Sequence, residues 1–208
     1  PALEKGRTIN ANFNVLVRSG RTSCRETNLQ NIPRKGIRDA FVPRSGMVFC
    51  GVDYDTIELR ALAHVHLLWF GKSALADAFH DGIDPHLSLG ATILGISYSE
   101  AVARRRDPIV EEMRSLGKLA NFGYAGGLGP TAFVDYSKGY GVSVTLGQST
   151  ELRESWFRRW PEMRAYFKRV GRQTRKGEAT VIQEGSGRVR GGCSFTVACN
   201  TQFQGLTA

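Results

Sequence analysis

Cysteine is scarce in this chain. There are four in 208 residues, Cys24, Cys50, Cys193 and Cys199, with no C-x-x-C pair and no zinc-ligand spacing. This argues against a disulfide framework or a zinc cluster and fits reduced, mostly buried thiols inside a cell. Long apolar runs are missing as well, so no segment has the length of a membrane span. The opening "PALEKGRTIN" has no apolar stretch, and nothing marks a secretory leader. It also lacks a starting Met, and "CNTQFQGLTA" ends without a cap or stop signal, so a fragment of a longer chain is expected. There is no internal repeat and no low-complexity tract. Acid is in the minority, 19 Asp and Glu against 28 Lys and Arg, and the net charge of +9 suggests an anionic partner. On charge alone, a nucleic-acid binder and a merely basic soluble enzyme both stand.

What is present bounds the fold. A hydrophobic content of 41% suffices for one sizeable core or two small, closely packed domains. The 24 glycines point to loops and close backbone approaches. Short extended segments are expected over 7–20, a polar loop over 24–36, and a buried strand at "GMVFCGVDY". Ile57, Ala61, Leu62, Val65, Leu68 and Trp69 recur at helical spacing. Short helices are expected at 74–80 and 86–94, and another ends at "RRRDP". Pro108 suits the first turn of a helix running to about Phe122, followed by the glycine-rich break "GYAGGLGP". Residues 150–176 read as a basic, aromatic helix pair broken near Pro161, then a hairpin over "ATVIQEGSGRVRGG" and a last helix from "CSFTVACN". The fold class is α/β or α+β, with helices dominating the middle.

Three stretches carry chemistry. "VDYDTIELR", 52–60, places three acids after an apolar run. Asp55 as N-cap and Glu58 three residues on make a capping-box pattern, which leaves Asp53 unexplained. A carboxylate where strand turns to helix suits a divalent cation held by oxygen ligands. In "MRSLGKLANFGYAGGLG", Arg114, Lys118 and Phe122 stand at i, i+4 and i+8 on one helix face. Two cations one turn apart repel unless an anion such as a triphosphate bridges them, although a solvated basic face reads equally well. "RSGRTSCRETNLQNIPRKG" is dense in Arg, Asn and Gln, which can donate to phosphates and minor-groove acceptors; the alternative is an exposed polar loop.

The order of these stretches resembles the polymerase core of the family A DNA polymerases. "GRTSCRETNLQNIP" is similar to the segment before the first catalytic motif. "VDYDTIELRALAHV" is similar to motif A, "RSLGKLANFGYAGG" to motif B and "CNTQFQGLTA" to the N-x-x-x-Q-G helix before motif C. The resemblance implies an α+β fold: a palm, an antiparallel sheet with helices, and a mainly helical fingers subdomain. Residues 1–60 would be the first part of the palm, 61–172 the fingers, and 173–208 the second part of the palm, ending before motif C. It implies template-directed transfer of dNTPs to a primer 3′-OH by a two-metal mechanism, in replication or repair. Two Mg²⁺ ions are implied, with Asp53 and the Tyr54 carbonyl as ligands. Glu58 becomes the gate against a ribose 2′-OH, in competition with its capping role. Arg114 and Lys118 take the triphosphate, Lys118 also protonates the leaving pyrophosphate, Phe122 packs on the sugar, and His86 of "IDPHLSLG" adds a phosphate contact. Arg21, Asn28, Gln30, Asn200 and Gln204 are implied DNA contacts. Implied partners are primer–template DNA and dNTPs, with no membrane, for a monomeric core in the cytoplasm (a host's cytoplasm for a phage-type member, which "NFGYAGGLG" suggests).

The chain departs from the family pattern at three places. The Tyr usual four residues after the motif B Phe is Gly126, so Tyr124 is the candidate to take over its DNA contact. The Arg usual four residues before Asn200 is Thr196, with Arg188 or Arg190 as substitutes. The His-Asp-Glu of motif C is not among the 208 residues, so the isolated chain is expected to show little or no polymerisation. Two alternatives remain open at this point, a single-subunit RNA polymerase and a non-catalytic nucleic-acid-binding remnant. For the latter, Trp156, Phe157, Trp160, Tyr166 and Phe167 among nine Lys and Arg could stack single strands or simply fill a core.

Overall fold

The structure is a computed structural model that describes residues 9–15, 17, 20–33, 36–175 and 179–207. Backbone proximity divides the chain into two compact units, residues 1–55 and 56–207. The expected segment "TINANFNVLV" lies partly outside the described residues. Its described part holds strand β1, Asn12–Asn14, which pairs antiparallel with β2, Ser23–Arg25, with Phe13 opposite Cys24. Cys24 is buried. Its Sγ donates to the Thr27 carbonyl at 3.3 Å and accepts from the Leu29 N–H at 3.4 Å, which folds the following loop back. Asn28 then caps a 3₁₀ turn, Leu29–Asn31, by accepting from the Gln30 N–H.

The strand expected at "GMVFCGVDY" is absent. Residues 47–54 have no ladder partner among the described residues, and Val48 and Val52 stand 86% and 85% exposed. Apolar, β-branched composition favours a strand, but a strand exists only when a second backbone accepts its hydrogen bonds.

In the second unit the described residues form nine helices and a hairpin. The helices are α1 Ile57–Phe70, α2 Ala74–His80, α3 Pro85–Leu94, α4 Tyr98–Ala103, α5 Pro108–Ala125, α6 Pro130–Lys138, α7 Leu146–Arg159, α8 Glu162–Gln173 and α9 Phe195–Gln204. The hairpin pairs β3, Ala179–Ile182, antiparallel with β4, Val189–Cys193. With its two small antiparallel sheets, the chain is α+β. The starts follow local rules. Asp84 and Asp107 cap α3 and α5 with Pro85 and Pro108 in the first turn, and Thr145 with Gln148 closes a capping box on α7. Helix α6 was not legible in the glycine-rich sequence before it; Pro130 opens it directly after Gly129.

The Asp55 cap is corrected. Helix α1 begins at Ile57, so the N-cap is Thr56, which adopts a left-handed backbone (φ 49°, ψ 31°) and makes no side-chain cap bond. Glu58 is therefore the second residue of the helix and not the third.

The core of this unit is aromatic. Trp156, Trp160, Tyr166, Tyr124, Phe133 and Phe203 are buried with Leu59, Leu62 and Val65 of α1. The aromatic residues of α7 and α8 thus face inward, and single-strand stacking on Trp156, Phe157, Trp160 and Tyr166 is excluded by their burial. Their cationic neighbours cover them from outside: Arg153 and Arg164 lie over the Phe157 ring and Arg169 over Trp69.

Candidate functional site

Helices α3 and α5 approach backbone to backbone. A Cβ on Gly117 would stand 2.5 Å from the His86 carbonyl oxygen, and one on Gly90 would stand 2.9 Å from the Arg114 nitrogen. Only glycine permits this contact. It places the cap of α3 beside the middle of α5. Asp84 Oδ1 accepts from the His86 and Leu87 N–H groups, and its Oδ2 accepts from Arg114 Nε at 2.8 Å. Burial alone would raise the Asp84 carboxyl, but the Arg114 hydrogen bond and charge and the two backbone N–H groups hold it below the usual carboxylate range. Arg114 is thereby held in place, a quarter exposed, with Glu111 also near at 3.7 Å.

One turn further along α5, Lys118 and Phe122 line a cleft of about 520 Å³ with Glu58 of α1, Tyr136 of α6, Tyr140 and Gln204 of α9. Four residues singled out from three distant parts of the sequence thus share one wall system. Lys118 is exposed, and Phe122 is half-buried with its ring 5.6 Å from that of His86. Tyr136 and Tyr140 were missed by the sequence reading, because nothing in "FVDYSKGYG" distinguishes them before α6 folds against α5. Their rings lie 5.1 Å apart. Burial, then the Tyr140 hydrogen bond and the Glu58 charge, push the Tyr136 hydroxyl well above its ordinary value, so it remains a donor.

His86 is buried against Asn121, with Nδ1 3.1 Å from the amide nitrogen, and does not line the cleft. Tyr124 is corrected as a DNA contact. Its side chain is wholly buried, its hydroxyl donates to the Ser149 carbonyl at 2.8 Å, and its ring stacks on Phe133 at 4.4 Å. Burial pushes that hydroxyl up to about 12. The side chain points two residues' rotation away from the helix face it was meant to serve. Gly126, where the family has Tyr, faces Asn200: a Cβ there would meet the Asn200 amide at 3.0 Å, and Asn200 Nδ2 donates to the Thr196 carbonyl at 2.9 Å and the Gly126 carbonyl at 3.4 Å. Arg190 and Arg188, the candidates for the absent arginine, both reach α9 and its end, at Thr201 Oγ1 and the Gly205 carbonyl.

The remaining candidates lie in the first unit. Arg21 is exposed, Asn28 forms the cap already described, and Gln30 Nε2 donates to Thr22 Oγ1 at 2.9 Å. Asp53 and Tyr54 are exposed neighbours. A carboxylate and an adjacent main-chain carbonyl are hard oxygen donors of the kind Mg²⁺ takes, so these two fit part of such a ligand set. Among the described residues no group of three or more His, Cys, Asp and Glu side chains closes a complete one. No helix among them is long and apolar enough to cross a membrane.

Known proteins resemble this chain over most of its length. The profile of DNA polymerase family A matches residues 2–191. DNA polymerase I of Aquifex aeolicus is 31% identical over 195 residues, 91% of this chain and 31% of that protein. DNA polymerase I of Lactococcus lactis is 32% identical over 165 residues, 77% of this chain and 17% of that protein. The solved POL domain of Pol1 from M. smegmatis, in complex with DNA primer-template and dNTP, superposes with a TM-score of 0.67 at 27% identity, covering 99% of this chain and 35% of that one. The chain therefore spans less than a third of the length of these curated relatives.

Proposed function

The chain belongs to DNA polymerase family A, and from that premise we propose that it supplies the nucleotide-binding part of a template-directed DNA polymerase, which joins a dNTP to a primer 3′-OH. The observation that carries this reading is the cleft in which Glu58, Lys118, Phe122 and Gln204 converge from α1, α5 and α9. Residues 1–60 and 173–208 are assigned to the palm and 61–172 to the fingers.

Each residue has a task its chemistry suits. Lys118 is an exposed point charge for the triphosphate, and Arg114 is a guanidinium oriented by Asp84. Lys118 can hand a proton to the leaving pyrophosphate oxygen. Phe122 offers a ring face to the sugar, and Glu58 occupies the space that a ribose 2′-OH would enter. Asn200 and Gln204, one turn apart on α9, present amides to minor-groove acceptors that every correct pair shares. Arg21, Asn28 and Gln30 hold the primer–template backbone and bases near the growing end. Asp53 and the Tyr54 carbonyl would hold Mg²⁺, which when bound supplies positive charge for in-line phosphoryl transfer.

Titration of the chain with a deoxynucleoside triphosphate tests the reading without requiring turnover. Removing one charge-assisted phosphate contact costs about 1.5–3 kcal/mol, so Lys118→Ala should weaken binding by roughly ten- to a hundredfold. Equal affinity in wild type and variant overturns the assignment.

A further inference from the structure

We propose that Asn121 is a positioning residue that fixes the proton of His86 on Nε2. Asn121 is buried on α5 and makes four hydrogen bonds. The indole N–H groups of Trp156 and Trp160 point at its Oδ1, at 3.1 and 2.9 Å. An indole nitrogen can only donate, so that end of the amide is the carbonyl. The other end is then the NH₂ group. One of its hydrogens goes to the Pro85 carbonyl at 3.1 Å, and that carbonyl can only accept. The second goes to His86 Nδ1 at 3.1 Å, which must present its lone pair. A neutral imidazole accepting at Nδ1 carries its hydrogen at Nε2. The reversed amide is ruled out by its neighbours. It would set two N–H groups against two indole N–H groups and leave several buried polar atoms unpaired.

The His86 ring is held in the form that donates from Nε2 because α7 and the residue that ends it, Trp160, send two indole N–H groups to the far side of one asparagine. The glycine contact between α3 and α5 brings His86 within reach of that asparagine.

Nitrogen-15 labelling of the histidine rings in the 208-residue chain tests this directly. Long-range proton–nitrogen correlation reports which ring nitrogen carries hydrogen, and a His86→Gln sample assigns the signal among the four histidines. The expected result is a protonated Nε2 and a bare Nδ1. A hydrogen on Nδ1 in the wild type at neutral pH overturns the proposal, and this measurement decides even where variants fail to fold. Asn121→Asp keeps the acceptor for the tryptophans but removes the donor facing Nδ1, so in the folded variant the hydrogen should move to Nδ1. An unchanged ring pattern there would also overturn it.

Discussion

Replacing Gly117 by alanine should destabilise the second unit, although alanine is the better helix former. An added Cβ at this position meets the His86 carbonyl oxygen at 2.5 Å, and the Gly90 nitrogen and His86 carbonyl carbon at 3.3 and 3.4 Å. All three are backbone atoms of α3 or its first turn, so no side chain can rotate away. Comfortable contact lies near 3.5 Å, so α3 must retreat from α5 by roughly 1 Å. Overpacking against fixed backbone at 2.5 Å falls in the upper part of the usual range, about 2–3 kcal/mol, against a gain of ~1 kcal/mol in helix propensity. The net expectation is a loss of ~1–2 kcal/mol, or about 2–8 °C in Tm for a unit of this size. Gly171 in α8 is the internal control. A Cβ there has only the Phe195 ring, at 3.9 Å, so Gly171→Ala should stabilise by about 0.5–1 kcal/mol. Thermal unfolding followed by circular dichroism compares the two. If Gly117→Ala matched or exceeded the wild type, the backbone-to-backbone contact of α3 and α5 would be wrong, and with it the placement of Asp84 against Arg114.

Three further outcomes follow from the buried polar groups. His66 of α1 is fully buried with neither ring nitrogen hydrogen-bonded among the described residues, and burial lowers it from 6.5 to about 4. The unfolded chain then takes up a proton that the folded one refuses. Stability is therefore complete above the ordinary histidine value and falls, by up to about 3 kcal/mol, as pH drops from 6.5 towards 4; His66→Phe should flatten that window in urea titrations, and an unaltered slope would count against it. The depressed Asp84 carboxyl contributes stability above the ordinary carboxylate value that is lost as pH falls through its lower folded value. Asp84→Asn keeps a capping oxygen but loses the charge facing Arg114, so the variant should be less stable at pH 7 by roughly 1–2 kcal/mol and converge on wild type in acid; parallel pH curves would refute the pairing. Tyr124→Phe removes the buried hydroxyl bond to Ser149 and should cost about 1 kcal/mol in stability while leaving affinity for duplex DNA unchanged, as an electrophoretic shift assay would show.

Much of the helical part was legible in one dimension because helix signals are local. The apolar spacing from Ile57 to Trp69, the Asp-Pro starts at 84–85 and 107–108 and the break at Pro161 each lie within a few residues of the structure they specify. The hairpin over 179–193 was legible for the same reason, its glycine-containing turn lying between two short β-prone runs. The strand over 46–54 was not, since its existence depends on a second backbone that composition cannot announce. The Asp55 cap missed by one residue of register, because the helix starts after Thr56.

The candidate site divides along the same line. Residue type and spacing singled out Arg114, Lys118 and Phe122 without deciding between an anion site and a solvated face, and the resemblance in motif order added Glu58. Tertiary packing decided what they became. Two glycines let α3 press on α5, so that Asp84 orients Arg114 and Asn121 reaches His86. Folding also turned Tyr124 inward and brought Tyr136 and Tyr140 to the cleft in its place. Those outcomes depend on which surfaces meet across long stretches of intervening chain, and contact at that range is settled by close packing and by the pairing of buried polar groups.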